Sequence, residues 1–290
     1  MNVFKRISAS LLVGLMLFSG AAYASTVKVG VQAPRGALKA MKRWGEIGKY
    51  LSAETGNKVE LVPLNPSKTV DAVSSGQVTY MLSNPVLAVV LKEKHQATTL
   101  ATVNRKSGEY FAGVIISKKG SGIKTAADTK GKKGVAFKFK KSAAAYVFQV
   151  KHLKDKGIDP HKDFSSFKEA KKQDDIVLAV KAGLADVGFV KSGLLEAMAK
   201  EGKISLDEFN IVDQASDDLK HVHSTALYPQ WSLSAATNAN AAVSDSIRTA
   251  LLKLTPEHAA SKAAKIRGFV APLSLDALLA TLKSLHLPPF

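Results

Sequence analysis

From Val27 onward the chain alternates short apolar strands with amphipathic helices. Val27, Val29 and Val31 recur at every second position before Gln32-Ala33-Pro34-Arg35-Gly36 breaks the pattern, as a strand running into a loop does. Leu38, Met41, Trp44, Gly48 and Leu51 then return at helical spacing, and Gly56 supplies a C-terminal stop. Residues 59–64 read as a second strand and 68–75 as a short helix ended by Gly76. Residues 78–82 read as a third strand that runs into Ser83-Asn84-Pro85 and a further helix. Such a β/α series predicts an α/β fold with a largely parallel sheet.

The alternation restarts after an apolar, β-branched strand at 111–117 and the turn-rich residues 118–122. Val135, Phe137 and Phe139 are placed on one face of a strand, with Lys138 and Lys140 on the other. Ser142 stands where it caps a helix over 143–156, and Gly157 ends it. Residues 176–181 read as helix, 185–190 as strand, 194–200 as helix and 209–212 as strand. Residues 233–237 give one more strand, and helices follow over 243–254, 257–265 and 275–285, the last capped by Ser274. This order fits two α/β units, the second inserted in the first, with 111–117 and 233–237 as the strands that cross between them.

The first 24 residues read differently. Lys5 and Arg6 precede an apolar run over 7–18, and Ala22-Tyr23-Ala24 matches a small-residue cleavage site, so the mature chain is expected to begin at Ser25. The run is short for a membrane span of about 20 residues. Export into a bacterial periplasm follows as the expectation. The absence of cysteine excludes thiol catalysis, iron–sulfur ligation and cysteine zinc sites. A chain of this length buries enough core to dispense with disulfides.

Charge adds a preference without naming a ligand. With 41 Lys+Arg against 24 Asp+Glu, the formal net charge is +17, a field that favours anions. The lysines are dispersed and no aromatic–basic motif accompanies them, which argues against nucleic acid. Enzyme signatures are missing too: there is no G-x-S-x-G and no H-E-x-x-H. Gly120-Ser121-Gly122-Ile123-Lys124-Thr125 lacks the spacing of a phosphate loop. His221 and His223 alternate on an extended segment, but a metal site needs further ligands that the neighbourhood does not offer. No cofactor is expected.

The stretch His223-Ser224-Thr225-Ala226-Leu227-Tyr228-Pro229-Gln230-Trp231 packs hydroxyls and flat aromatic surface together, which suits a small-molecule pocket. Other marks accompany it: the Val29-Gly30-Val31 strand, Trp44, Leu82-Ser83-Asn84-Pro85, and Glu109-Tyr110-Phe111-Ala112-Gly113-Val114-Ile115. Further on come Asp128-Thr129-Lys130-Gly131-Lys132-Lys133, Gly157-Ile158-Asp159-Pro160 and residues 179–188. In this order they resemble the periplasmic solute-binding proteins of the phosphate/phosphite/phosphonate (PhnD-like) type. Ser224–Trp231 is especially similar to a sensory subgroup in which such a domain precedes a histidine kinase.

That resemblance implies a type II periplasmic-binding fold. Each lobe is a mainly parallel sheet flanked by helices, and two hinge strands join the lobes. It divides the chain into an export signal (1–24), a first lobe (25–112 and 235–290) and an inserted second lobe (113–234). It implies a non-enzymatic receptor that closes over a small anionic solute, works as a monomer, and delivers the solute to an ABC transporter permease or reports it to a membrane histidine kinase. The ligand contacts expected are Asn84, Tyr110, Ser142, Lys191, Ser224, Thr225, Tyr228 and Trp231. Asn84 and Ser142 stand at helix N-termini, where free N–H groups and the dipole attract anions. The family often has several hydroxyls after the position of Ser142; here Ala143, Ala144 and Ala145 follow. Lys191 takes a position where the sensory subgroup often has arginine, keeping the charge and losing the bidentate fork.

Overall fold

The computed structural model describes residues 26–290; the expected export segment lies outside the described residues. In chain order, β1 (Thr26–Gln32), α1 (Ala37–Thr55), β2 (Lys58–Leu64), α2 (Thr69–Ser74), β3 (Tyr80–Ser83), α3 (Pro85–His95) and β4 (Thr98–Asn104) open the first lobe. After β5 (Tyr110–Phe111), the second lobe runs through β6 (Gly113–Lys118), β7 (Lys133–Phe137), α4 (Phe148–Asp155), α5 (Pro160–Asp163), β8 (Ser166–Ala170), α6 (Gln173–Lys181), β9 (Val187–Lys191), α7 (Leu194–Lys200) and β10 (Phe209–Ile211). The chain returns through β11 (Tyr228–Pro229) and completes the first lobe with β12 (Ser232–Ala235), α8 (Ala241–Lys253), α9 (Ala259–Ala264) and β13 (Gly268–Val270). Helix α10 (Asp276–Ser284) follows.

Two sheets carry the lobes, in the orders β13-β4-β12-β3-β1-β2 and β10-β6-β9-β7-β8. The period-two valines of β1 face Trp44, Ile47 and Leu51 of α1, and this layer is the core of the first lobe. The sheets are mixed where mainly parallel ones were expected. β1 pairs in parallel with β2 and β3, but β12 lies antiparallel between β3 and β4. In the second sheet β7 is parallel to β8 and β9, while β6 is antiparallel to β9. The reason is geometric. A strand arriving from the other lobe meets a parallel sheet at its carboxyl edge and must run down it in the opposite direction. Both returning strands, β6 and β12, do so.

The crossing itself is shorter than the two strands expected at 111–117 and 233–237. Its regular part is the antiparallel pair of β5 and β11, with Tyr228 opposite Phe111 and Pro229 opposite Tyr110. Tyr228 stacks on Phe148 of α4 at 3.9 Å between ring centroids, and its hydroxyl meets Thr281 Oγ1 of α10 at 3.0 Å. The hinge is thereby packed against both the second lobe and the C-terminal helix.

Two local expectations are corrected. The strand read through Phe139 ends at Phe137; Lys138 and Lys140 are left-handed, and the Lys138 carbonyl accepts from the amides of Lys141 and Ser142. Phe139 drives this turn by stacking on Tyr146 at 4.9 Å and on Phe167 at 4.7 Å. Ser142 stands at the N-cap position, but its side chain makes no capping bond. The helix it precedes begins as a π-helical turn over Ala143–Val147 before α4, broken by Ala145 at φ −136°.

Below that turn lies Gln149, fully buried, whose Nε2 donates to the carbonyls of Ala144 (2.9 Å), Val190 (2.8 Å) and Val114 (3.3 Å). The amide ties the irregular turn to β6 and β9, and a Cβ on Gly113 would stand 2.6 Å from it. Replacing Gln149 with Ala should cost about 1–3 kcal/mol by orphaning these carbonyls. A urea midpoint equal to that of the wild type would show that the carbonyls find other partners.

Candidate functional site

The carboxyl ends of the strands and the two crossings bound a cleft, the place where open α/β sheets take ligands. On the first-lobe side, Gln32 at the end of β1 accepts from Asn84 N (3.1 Å) and Asn84 Nδ2 (2.9 Å). Asn84 Oδ1 in turn accepts from Leu87 N at 3.1 Å, so Asn84 is a helix cap locked at both ends of its amide. Pro85 at the first helical position loses no hydrogen bond there.

Arginine enters from two elements. Arg43 on α1 donates Nε to the Ala264 carbonyl at 3.1 Å and lies 5.2 Å from the Trp44 ring centroid. Trp44 stacks on the half-buried Trp231, with centroids 6.5 Å apart and planes 18° apart. Arg105 follows β4 on a tight turn, exchanging backbone bonds with Gly108, which takes φ +98°. Arg105 Nε donates to Gln230 Oε1 at 2.9 Å, and Gln230 Nε2 reaches the Tyr110 carbonyl at 3.3 Å. One contact chain therefore runs Arg43, Trp44, Trp231, Gln230, Arg105.

The second lobe contributes Lys191, the last residue of β9 and the partner of Gly113 in register. Its backbone amide donates to Gln173 Oε1 at 3.0 Å. The side chain keeps accessible surface, yet protein walls on both sides of the cleft displace bulk water. That desolvation, with the charges of Arg105, Arg43 and Arg35, pulls its pKa down to about 8; Asp174 opposes this. Desolvation and Arg43 likewise bring Arg105 down to about 9, so both groups remain charged at neutral pH. Arg43 is lowered by burial and by Arg35. Like charges from both lobes thus converge where water is scarce.

The other expected contacts sit elsewhere. Ser224 and Thr225 are buried in the crossing: Ser224 Oγ accepts from Ile115 N and Thr225 Oγ1 from Gly113 N, both at 2.9 Å. Thr225 Oγ1 also donates to the Ala226 carbonyl at 2.9 Å. With Tyr228 committed to Thr281, three hydroxyls read as ligand donors are engaged within the fold. Tyr110 is 38% exposed beside Gln230, and Ser142 is half-buried before the π-helical turn. His223 pairs with Asp217 at 2.9 Å and His221 with Glu196 at 3.5 Å, each with its own acid. Among the described residues no His/Cys/Asp/Glu group could hold a metal ion.

Arg43 and Arg105 were not legible as site residues, although a signal existed. Only six of the 41 cationic residues are arginine, and Arg35, Arg43 and Arg105 all act on Lys191. The planar guanidinium fork suits bidentate recognition of an oxyanion.

Comparison with known proteins agrees with this architecture. The family model described as "ABC transporter, phosphonate, periplasmic substrate-binding protein" matches residues 33–276, and the chain belongs to that family. Its fold is the two-lobe type II periplasmic-binding fold. A Xanthomonas citri protein bound to ATP superposes with a TM-score of 0.75 at 17% identity, covering 91% of this chain and 98% of its own. PhnD1 from Prochlorococcus marinus in complex with methylphosphonate gives a TM-score of 0.69 at 14% identity, covering 90% and 98%. In sequence, the tetrathionate sensor histidine kinase TtrS of Salmonella typhimurium is 28% identical over 253 residues, 85% of this chain. The chain spans less than half of that curated relative, 42% of its length.

Two outcomes test the geometry. The folded pKa of Lys191 lies below its unfolded value, so the unfolded chain holds more protons from about pH 8 upward and stability rises with pH in that window. Lys191→Met should reduce the gain in urea midpoint between about pH 7.5 and pH 9.5. An equal gain in both proteins would remove Lys191 from the charged cluster. Tyr228→Phe should lower stability by about 1 kcal/mol through the lost Thr281 bond, while leaving ligand affinity unchanged; weakened binding would return Tyr228 to the site.

Proposed function

We propose that this chain is exported by its first 24 residues and captures a small oxyanion of the phosphate, phosphite or phosphonate kind between its lobes for an ABC importer. The observation that carries this reading is the convergence of Arg43 and Arg105 with Lys191, opposed by the charge of Asp174 alone among the groups acting on Lys191. Uncompensated cations in a desolvated cleft repel one another, and an anion relieves that cost while gaining charge-assisted hydrogen bonds. Closure about the short crossing would bring the two sides onto the ligand.

In this reading Arg43, Arg105 and Lys191 hold the oxygens, with Tyr110 and the Trp44–Trp231 pair as flanking walls. Asn84 and Ser142 orient the two loop-to-helix entries. Ser224, Thr225 and Tyr228 serve the hinge. A second reading is favoured by the 28% identity to a tetrathionate sensor kinase across 85% of the chain: a receptor that reports a related anion to a membrane histidine kinase. A neighbouring permease and ATPase pair supports the first role, a kinase and response regulator the second.

A thermal-shift screen of phosphate, phosphite, phosphonates, and sulfur and arsenic oxyanions tests the common core, since native-state binding raises the melting temperature by mass action. Arg105→Gln should weaken the best anion about tenfold to a hundredfold, as loss of a charge-assisted bond does. Stabilisation by neutral or cationic molecules alone sinks the oxyanion reading. Bound anion keeps Lys191 protonated, so its contribution is fully present below about pH 8 and is lost as the pH rises beyond that. Affinity that climbs with pH across this range would contradict its role.

A further inference from the structure

The second sheet ends in a bare edge. β10 pairs with β6 on one side, and among the described residues no strand lies on its other side. Lys119 N donates to the Glu208 carbonyl at 2.8 Å and Val212 N to the Ile115 carbonyl at 2.9 Å, which fixes how the strand faces. Glu208, Asn210 and Val212 turn their peptide groups toward β6, so those of Phe209 and Ile211 point outward. Phe209 N is spent on the Leu206 carbonyl of the preceding turn. The Ile211 amide and the carbonyls of Phe209 and Ile211 make no bond among the described residues. A cavity of about 290 Å³ runs across this edge and is lined from both faces of the sheet. Leu195, Ile211 and Val222 form its apolar half, continuous with the core under α6 and α7, and Leu206 rims it at 41% exposure. Lys119 and Lys124 line the other half, beside Asn210, whose Nδ2 donates to the Lys118 carbonyl at 3.2 Å. Neither Asp207 nor Glu208 of the adjacent turn lines the cavity. Carboxylates close by in the chain are engaged elsewhere: Asp128 Oδ2 accepts from the Lys124 and Thr125 amides, and Glu208 pairs with Lys181 at 2.8 Å.

We propose that the β10 edge takes up an extended segment of a partner protein in which apolar and acidic side chains alternate. Nothing in this depends on the anion cleft. An unpaired strand edge is a template for a further strand. The backbone of such a segment donates to the carbonyls of Phe209 and Ile211 and accepts from the Ile211 amide. Side chains of an added strand point alternately to the two faces of the sheet. One set therefore enters the apolar half beside Leu195 and Ile211, while the next stands toward Lys119 and Lys124. Charge decides the occupant. An acidic segment meets two lysines in a cavity that no carboxylate lines. A second copy of this chain, with its formal charge of +17, would set its own Lys119 and Lys124 against them.

Amide hydrogen exchange of the wild-type protein, followed residue by residue by NMR, tests this with two acetylated, amidated peptides. One alternates valine with glutamate, the other valine with lysine. At the highest soluble concentration the glutamate peptide should slow exchange of the Ile211 amide at least about tenfold, because a bonded edge amide exchanges only when its partner leaves. The lysine peptide should leave it unchanged. The double variant Lys119→Glu, Lys124→Glu should reverse that preference, weakening the glutamate peptide about tenfold and admitting the lysine peptide. Unchanged Ile211 exchange with the glutamate peptide in the wild type overturns the inference and marks the edge as one that its lysines guard. Equal slowing by both peptides, or a preference that survives the double variant, overturns the charge condition. Slowing that grows with protein concentration and needs no peptide assigns the edge to a second copy and overturns the acidic partner.

Discussion

The register between the two lobes depends on one backbone residue, Gly113. Its amide donates to Thr225 Oγ1 at 2.9 Å, and its carbonyl accepts from Ser224 N at 2.9 Å and Thr225 N at 3.3 Å. Ser224 Oγ holds the next inward amide, that of Ile115. The outgoing and returning chains are thus clamped to each other where they pass, and both faces of the cleft take their positions from that clamp. A side chain at 113 would collide with Gln149, the amide that anchors the π-helical turn on the second-lobe wall. The hinge and the wall share a single packing constraint.

The same clamp explains how charges from distant parts of the sequence meet. Lys191 is opposite Gly113 across β6 and β9, so fixing Gly113 also fixes the second-lobe cation. Arg105 is tied to the returning chain through Gln230, whose own amide bonds the Glu109 carbonyl at 2.8 Å. Arg43 is held by the Ala264 carbonyl and by the indole of Trp44. The two guanidinium groups are each held through Nε, Arg43 at the Ala264 carbonyl and Arg105 at Gln230. The fold therefore keeps like charges together against their repulsion, a cost that the anion of the proposed function would relieve.

Much of the architecture was legible in the residues. Alternating valines in β1, the helical spacing through Trp44 and Leu51, and Gly56 and Gly157 as stops belong to local backbone and burial preferences that a sequence displays directly. The family was legible because many weak marks fell in one order. Strand direction was not, since β6 and β12 owe their antiparallel sense to arriving from the opposite lobe. The end of β7 was hidden as well. An alternating Phe/Lys pattern reads as strand, but Phe139 turns aside to stack on Tyr146 and Phe167.

Within the site, sequence by itself supplied the residue types and the excess of positive charge, because composition needs no third dimension, and the family resemblance supplied the expectation for Lys191. Tertiary structure decided which hydroxyls are engaged within the fold and which cations act on one another. The Ser224, Thr225 and Tyr228 hydroxyls are consumed by partners 109, 112 and 53 residues away, a matter of who stands opposite whom. Arg43 and Arg105 entered the proposed site because folding carries them within electrostatic reach of Lys191. Coulomb energy depends on separation in space and on local water, and neither is written along the chain.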